Sequence, residues 1–448
     1  MYFGRMGARG IANKEITPRF VMRISNATAE FTDSTAVAIG RDTRNTSKML
    51  TEAAQVGLVS AGIDVVQLGV VPTPSAQQYA DENNTVTLQI TASHNPPEYN
   101  GIKLIGTNGM VLDREAINKI REMTTSTDLP TAEWDSIGTS WTAENTNNKY
   151  IESILDDVDR QKIAANSLHV VLDPGHGAGS LTSPTLLRKL GCKVKTLNAN
   201  RDGHFPGRNP EPKSETLGDL MQVVPAVGAD IGIAHDGDAD RVMFVDENGE
   251  LVDGNTVFAA LADTVVTRDD VVVTALNTSQ RLTDVIEDAG GSIEYTPIGN
   301  SYILSRVLEL QRDGHSVPIA GEGNGGIIYP QRRLNRDGGY VAAKFLELVS
   351  ETSVSESVDR YTGYHLQRDK IPYESERERD EILSRASAWG NSAEGDLNTL
   401  DGYRVDFENR WALVRPSGTE PYIRVYAEAE STEAAAGLVN SIYSEITN

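Results

Sequence analysis

Short apolar runs alternate with helix-length amphipathic stretches along most of the chain, a pattern that predicts an α/β protein. Val37-Ala38-Ile39 reads as a strand, residues 40–45 as a polar turn and 47–60 as a helix. Strands follow at 65–68 and 86–90, separated by a segment that Pro72-Thr73-Pro74 opens. A second region shows a strand at 168–172, a helix over 178–190 stopped by Gly191, and strands at 194–197, 230–234 and 242–245. A third carries strands at 271–273 and 317–320. The Ser-rich, acidic stretch 351–359 is the best linker. Beyond it the strands cluster (404–407, 411–414, 423–427) and a helix over 432–446 closes the chain, which predicts a smaller α+β unit. The expected domains are therefore 1–148, 149–249, 250–355 and 360–448.

Four polar loops interrupt the pattern, about one per region, each placed by the reading just after a strand, where α/β sheets present ligand-binding groups. They are Thr91-Ala92-Ser93-His94-Asn95-Pro96, Asp236-Gly237-Asp238-Ala239-Asp240-Arg241, Gly321-Glu322-Gly323-Asn324-Gly325-Gly326 and Arg415-Pro416-Ser417-Gly418-Thr419-Glu420-Pro421. A site drawing on all four would occupy a central cleft. In the second loop Asp236, Asp238 and Asp240 alternate, so three carboxylates can converge, and a divalent cation relieves their repulsion. Oxygen-only ligands select Mg²⁺, Ca²⁺ or Mn²⁺ over Zn²⁺. An EF-hand is excluded because Arg241 stands where that loop needs glycine. The fourth loop sets Arg415, Ser417 and Thr419 around Gly418, a cationic, hydroxyl-rich turn suited to an anion. Ser93, on a strand end beside His94 with prolines blocking a helix, suits a nucleophile or phosphate carrier, and Lys103 follows closely. Glu322 and Asn324, an acceptor and an amide among glycines, suit sugar hydroxyls. Asp173-Pro174-Gly175-His176-Gly177-Ala178-Gly179 lacks the third glycine of a dinucleotide loop and is read as a structural turn.

Composition narrows the partners. The chain has 448 residues, with 41 Lys+Arg against 64 Asp+Glu, a formal charge of −23. A surface that negative repels phosphate backbones and anionic lipid heads, which excludes generic nucleic-acid and membrane-surface binding. Only 12 of the 41 basic residues are Lys, a balance that suits a high-salt medium, where self-repulsion is screened. Cys192 is the single cysteine, so neither an intrachain disulfide nor a cysteine metal site is possible. No apolar run approaches the ~18 residues that span a bilayer, and the expected location is cytoplasmic.

Taken together and in this order, the four loops resemble those of the α-D-phosphohexomutase superfamily, and the likeness spans nearly the whole chain. Gly40-Arg41-Asp42-Thr43-Arg44 and Asn209-Pro210-Glu211-Pro212 are supporting matches. Two places depart. The N-terminal segment reads Phe3-Gly4-Arg5-Met6-Gly7-Ala8-Arg9-Gly10 where the superfamily commonly has Phe-Gly-Thr-(Asp/Ser)-Gly-Ile-Arg-Gly. Asn324 and Gly326 replace the Ser and His of its Gly-Glu-x-Ser-Gly-His loop, a variant similar to archaeal members called phosphoglucosamine mutase or phosphomannomutase/phosphoglucomutase. The resemblance implies three α/β domains with mixed sheets and a smaller C-terminal one. It also implies an isomerase that moves phosphate between the 1- and 6-positions of a hexose phosphate through a 1,6-bisphosphate. Phosphate would reside on Ser93, with one Mg²⁺ held by that phosphate and by Asp236, Asp238 and Asp240. Arg9, Lys103 and Arg241 would surround the moving phosphoryl group, with Lys103 and His94 as proton carriers. Arg415, Ser417, Gly418 and Thr419 would hold the idle phosphate, and Glu322 and Asn324 the sugar ring. A phosphatase using the same serine, or a sugar-phosphate binding protein, is the rival reading.

Overall fold

The computed structural model describes every residue except Met1, Arg5, Met6, Thr127, Asp128, Gly418, Thr419, Glu420 and Asn448. By internal contacts the chain forms two compact units. The first comprises Met1–Gly254 with Asn324–Ser357, the second Asn255–Gly323 with Val358–Asn448.

The first unit is built on two mixed sheets. The larger runs Tyr2–Gly4, Gly7–Ile11, Tyr99–Ile105, Thr87–Ile90, Ala36–Arg41, Asp64–Val70, Ser140–Thr142. Thr87–Ile90, Ala36–Arg41 and Asp64–Val70 are parallel, while Tyr99–Ile105 returns antiparallel beside Thr87–Ile90. Val37 and Ile39 feed one buried cluster with Leu50, Ala54 and Leu88, while Ala38 between them feeds another with Val66 and Ala76. A parallel strand covered on both faces must be apolar at consecutive positions, which is why 37–39 is an unbroken run. The second sheet runs Leu251–Val252, Val242–Val245, Ile231–His235, His169–Asp173, Lys193–Thr196, its last three parallel. The helix Gly338–Leu348 also belongs to this unit, capped by Asp337, whose carboxylate accepts from Tyr340 N at 3.0 Å.

The second unit holds the parallel strands Ser292–Thr296, Val271–Ala275 and Ala320–Glu322. It also holds an antiparallel sheet ordered His365–Pro372, Tyr422–Ala429, Arg410–Pro416, Tyr403–Phe407, Asp396–Asn398. Ile382 and Trp389 of the helix Glu376–Ser392, with Val439 and Ile442 of Thr432–Thr447, close the apolar face of the latter.

Several elements differ from the pattern reading for local reasons. The helix expected over 178–190 is a 3₁₀ turn, Ala178–Leu181, and then an α-helix, Ser183–Lys189. Pro184 lacks an N–H and is accommodated only in a first turn, so the helix starts afresh there. The strand expected at 317–320 begins instead at Ala320, because Pro318 cannot donate to a ladder; Val317 and Ile319 are buried all the same. The linker 351–359 contains a short helix, Val354–Val358. Among the described residues no helix is long and apolar enough to cross a membrane.

Candidate active site

Ser93 stands three residues beyond the strand Thr87–Ile90 in the left-handed conformation, φ 52°, which costs a residue with a β-carbon about 1–2 kcal/mol. Its neighbours impose that shape. Ser93 N donates to Thr91 Oγ1 at 2.9 Å, and Thr91 Oγ1 donates to Asp42 Oδ2 at 2.7 Å. Arg44 donates to the carbonyls of Ser93 (2.8 Å), Asn95 (2.7 Å), Pro96 (2.6 Å) and Tyr99 (3.0 Å), and its Nε meets Asp42 Oδ2 at 3.0 Å. Asp42 and Arg44 are both fully enclosed. The loop is thus held by its carbonyls, and the serine hydroxyl is left free to point elsewhere.

It points at the metal loop. Ser93 Oγ donates to Asp236 Oδ2 at 2.7 Å and lies 3.3 Å from His94 Nδ1. Asp236 follows the last residue of the strand Ile231–His235. The loop turns tightly, with Ala239 N donating to Asp236 O at 3.1 Å and Ala239 itself left-handed at φ 54°. Gly237 is required where the two loops touch, since a β-carbon there would lie 2.6 Å from Ser93 O.

All three aspartates are buried, and one carboxylate oxygen from each falls within 4.8 Å of the others. Lys103, on the strand Tyr99–Ile105, reaches Asp238 Oδ2 at 2.6 Å and Asp240 Oδ2 at 2.9 Å. Thr73 also donates to Asp238, and Arg336 NH2 lies 2.9 Å from Asp240 Oδ2. Asp238 Oδ1 and Asp240 Oδ1 are buried and have no hydrogen-bond partner among the described residues. Orphaned buried carboxylate oxygens are costly, and a hard divalent cation is the ligand that an all-oxygen set of this kind takes. The residues present fit such an ion.

The electrostatics divide the groups. Burial, then the charges of Asp240 and Asp238, push the Asp236 carboxyl up to about 7. Burial acts on Asp240 in the same sense, but Arg336, Lys103 and Arg241 outweigh it and hold Asp240 ionised. Lys103 loses some basicity to burial and regains more from Asp238 and Asp240, so it stays charged. Arg241, burial and Arg9 together keep His94 neutral. Arg9 donates to Asn95 Oδ1 at 2.7 Å, and Arg241 N donates to Asp236 Oδ1 at 3.2 Å.

Eight of the residues read from the sequence therefore share one cluster in the first unit: Arg9, Ser93, His94, Lys103, Asp236, Asp238, Asp240 and Arg241. Asn324 lies in the same unit and accepts from Gly326 N at 3.1 Å. Glu322 and Arg415 belong to the second unit, and each sits on a strand, Ala320–Glu322 and Arg410–Pro416, not just after one. Arg415 NH2 meets Asp401 Oδ2 at 3.0 Å, and Ser417 N donates to Tyr422 O at 2.9 Å. Gly418 and Thr419 lie outside the described residues. Arg336, Thr73 and the Arg44 network are additions that the loop reading missed.

Models of the phosphoglucomutase/phosphomannomutase family match the chain throughout: α/β/α domain I over residues 1–131, domain II over 148–249, domain III over 253–364 and the C-terminal domain over 372–445. The chain belongs to the α-D-phosphohexomutase superfamily. It is a phosphohexomutase, an isomerase of the phosphotransferase type, with three α/β domains and a C-terminal domain. This phosphohexomutase is 42% identical over 443 residues to a phosphoglucomutase/phosphomannomutase of Thermococcus kodakarensis, covering 97% of this chain and 95% of that one. It is 38% identical over 442 residues to a probable phosphoglucosamine mutase of Methanopyrus kandleri, covering 98% and 96%. Its fold is similar to the crystal structure of a phosphoglucomutase/phosphomannomutase family protein from Burkholderia thailandensis, with TM-score 0.85 and 25% identity over 99% of this chain and 96% of that one.

Proposed function

We propose that this phosphohexomutase interconverts the 1-phosphate and 6-phosphate of a hexose, with glucosamine, mannose and glucose phosphates as the candidate substrates, and that Ser93 carries the phosphoryl group. The observation that carries the reading is the aimed hydroxyl: a strained, buried serine 2.7 Å from a metal-loop carboxylate, beside Lys103 and the aspartate cluster.

Phosphoryl transfer leaves little covalent work to the protein, so positioning and charge neutralisation supply most of the catalysis. Asp236, Asp238 and Asp240 would hold one Mg²⁺, whose charge offsets that of the phosphoryl oxygens when it is bound. Phospho-Ser93 gives its phosphoryl group to the free hydroxyl of the hexose monophosphate, which becomes a 1,6-bisphosphate. Ser93 then accepts the other phosphoryl group, and the isomeric monophosphate departs. Arg9, Lys103 and Arg241 supply positive charge around Ser93. His94 and Lys103, both beside Ser93 and the aspartates, are the two proton carriers. Arg415, Ser417, Gly418 and Thr419 take the phosphate that is not reacting, and Glu322 and Asn324 take ring hydroxyls. The enzyme works in the cytoplasm on a soluble substrate, and its acidic, arginine-rich composition and archaeal relatives suit a salt-loving archaeal cell.

The test compares kcat/KM for the 1-phosphates of glucosamine, mannose and glucose, with inorganic phosphate assayed in parallel. Conversion to the 6-phosphate without phosphate release is expected; stoichiometric phosphate without isomer would make the protein a phosphatase. Ser93→Ala should abolish turnover and leave sugar-phosphate binding measurable by calorimetry, and wild-type-like turnover in that variant would refute the assignment of Ser93.

A further inference from the structure

The metal loop does not offer all its oxygens. Asp240 Oδ2 is occupied by Lys103 Nζ and by Arg336 NH2, both at 2.9 Å, and Asp238 Oδ2 by Lys103 Nζ at 2.6 Å and by the Thr73 hydroxyl. Asp236 accepts from Ser93 Oγ on one oxygen and from Arg241 N on the other. What remains without a hydrogen-bond partner among the described residues is a single oxygen, Oδ1, on each of Asp238 and Asp240.

Arg336 arrives from far along the chain by a route the sequence keeps open. A β-carbon at Gly326 would lie 2.6 Å from Arg336 Cδ and 3.3 Å from its NH1, so any side chain at 326 would displace the guanidinium. The backbone beside Arg336 is docked on the metal loop itself. Gly338 N donates to Ala239 O at 3.3 Å, and a β-carbon on Gly338 would lie 2.5 Å from Arg241 O. Asp337, between them, caps the helix and accepts from the buried Tyr150 hydroxyl. The backbone next to Arg336 is therefore anchored on the metal loop, and its side chain passes Gly326 to reach Asp240.

We propose that Arg336, threaded over Gly326 and acting with Lys103, is a positioning residue that confines Asp240 to ligation through one oxygen and thereby sets the metal site's preference for a small cation over a large one. The inference rests on the metal-site reading given under Proposed function. Mg²⁺ takes six ligands in a tight octahedron, for which one-oxygen carboxylates are suited. Ca²⁺ takes six to eight ligands in looser geometry and gains from carboxylates that bind through both oxygens. Charge cannot make this distinction, since both ions carry the same one; cavity size, ligand number and flexibility can, and the number of oxygens Asp240 offers is the one that Arg336 controls.

The experiment strips the full-length protein of metal and titrates Mg²⁺ and Ca²⁺ separately by calorimetry, without sugar phosphate. Without Arg336, Asp240 Oδ2 keeps only its contact with Lys103 and is no longer held from two sides, so it can swing toward a larger ion, and Arg336→Ala should move the Ca²⁺/Mg²⁺ affinity ratio toward Ca²⁺ by about tenfold or more. Gly326→Ala, with the arginine retained but displaced, should move it the same way and should add less than about twofold in the Arg336→Ala background, because the two changes act on one contact. Melting temperatures identify a variant that fails to fold; if Arg336→Ala is lost in that way, Gly326→Ala carries the test. Equal tightening of both ions would show a charge effect alone, equal weakening a general prop, and an unmoved ratio no effect; each overturns the proposal. A wild-type protein that binds neither ion overturns the metal-site reading as well, whereas one that binds Mg²⁺ with an unmoved ratio in the variants overturns this inference alone.

Discussion

Replacing Thr91 by Val tests whether the conformation of Ser93 is imposed by its surroundings. The two side chains have nearly the same shape, so no cavity opens, and what disappears is one hydroxyl that makes two buried hydrogen bonds. One donates to the Asp42 carboxylate at 2.7 Å and the other accepts Ser93 N–H at 2.9 Å. A bond to a charged acceptor is worth about 1.5–3 kcal/mol, and a buried donor left unpaired costs about 1–3 kcal/mol, so the loss of stability should be about 2.5–6 kcal/mol. Calorimetric Tm should fall by roughly 5–10 °C on the scale of large domains. The catalytic loss follows from the backbone. Once untethered, Ser93 can recover the roughly 1–2 kcal/mol that its left-handed conformation costs, and its hydroxyl then leaves Asp236. Restoring the aim must draw on that same energy, which predicts about a five- to thirtyfold fall in kcat with KM nearly unchanged. Thr91→Ser keeps the hydroxyl and should return kcat to within about threefold of wild type on the same reasoning. A Thr91→Val enzyme with a lowered Tm and an undiminished kcat would refute the argument, because the tether would then support the fold without aiming the serine.

Two further outcomes follow from the same geometry. Gly237→Ala should push the metal loop away from Ser93 O, which its β-carbon would approach to 2.6 Å, and cost about 100-fold in kcat with little change in Tm; steady-state kinetics beside a thermal melt decide it. Because burial and its two acidic neighbours push the Asp236 carboxyl up to about 7 and it must be ionised to ligate, Mg²⁺ should displace more protons per site at pH 6 than at pH 8, read from calorimetry in buffers of different ionisation heat. The sign for stability is opposite to that of an ordinary paired aspartate. A raised carboxyl binds its proton more tightly folded than unfolded, so this group makes the metal-free protein less stable as pH climbs from about 4 to about 7.

The residues that chemistry needs within a single loop were legible, and those it borrows from elsewhere were not. Ser93 and the three aspartates announce themselves because strand period ends abruptly in polar, glycine- or proline-bearing turns, and a strand end is where an open sheet presents groups. Thr73 and Arg336 carry no such signal. Each touches an aspartate more than ninety positions away, and nothing local separates Thr73 from an ordinary helix-opening residue or Arg336 from any arginine ahead of a capping Asp. Gly326 is instructive in a different way. Its departure from the superfamily's usual loop was visible at once, but its meaning depended on which side chain passes over it. Glu322 and Arg415 were placed one step too late because their strands run on through the polar residues.

One physical device recurs beneath these loops and bears on the composition. Arg44 gathers four carbonyls around the Ser93 loop and pairs with Asp42 at 3.0 Å. Arg208 gathers those of Asp173, Asn209, Pro210 and His235, the last immediately before Asp236, and pairs with Asp173 at 2.8 Å. In the second unit Arg404 takes the carbonyls of Leu276 and Thr278 and pairs with Asp406 at 2.7 Å. All three guanidiniums are buried. Where a strand stops short of a helix its last carbonyls have no ladder partner, and leaving them so in the interior is costly. A guanidinium offers five donors in a rigid planar fork, so one side chain can satisfy several divergent carbonyls while a single carboxylate balances its charge. A lysine, with three donors on one atom, cannot span them. Part of the excess of Arg over Lys in this chain is therefore a requirement of the loops that bear the chemistry, independent of any adaptation of the surface to salt.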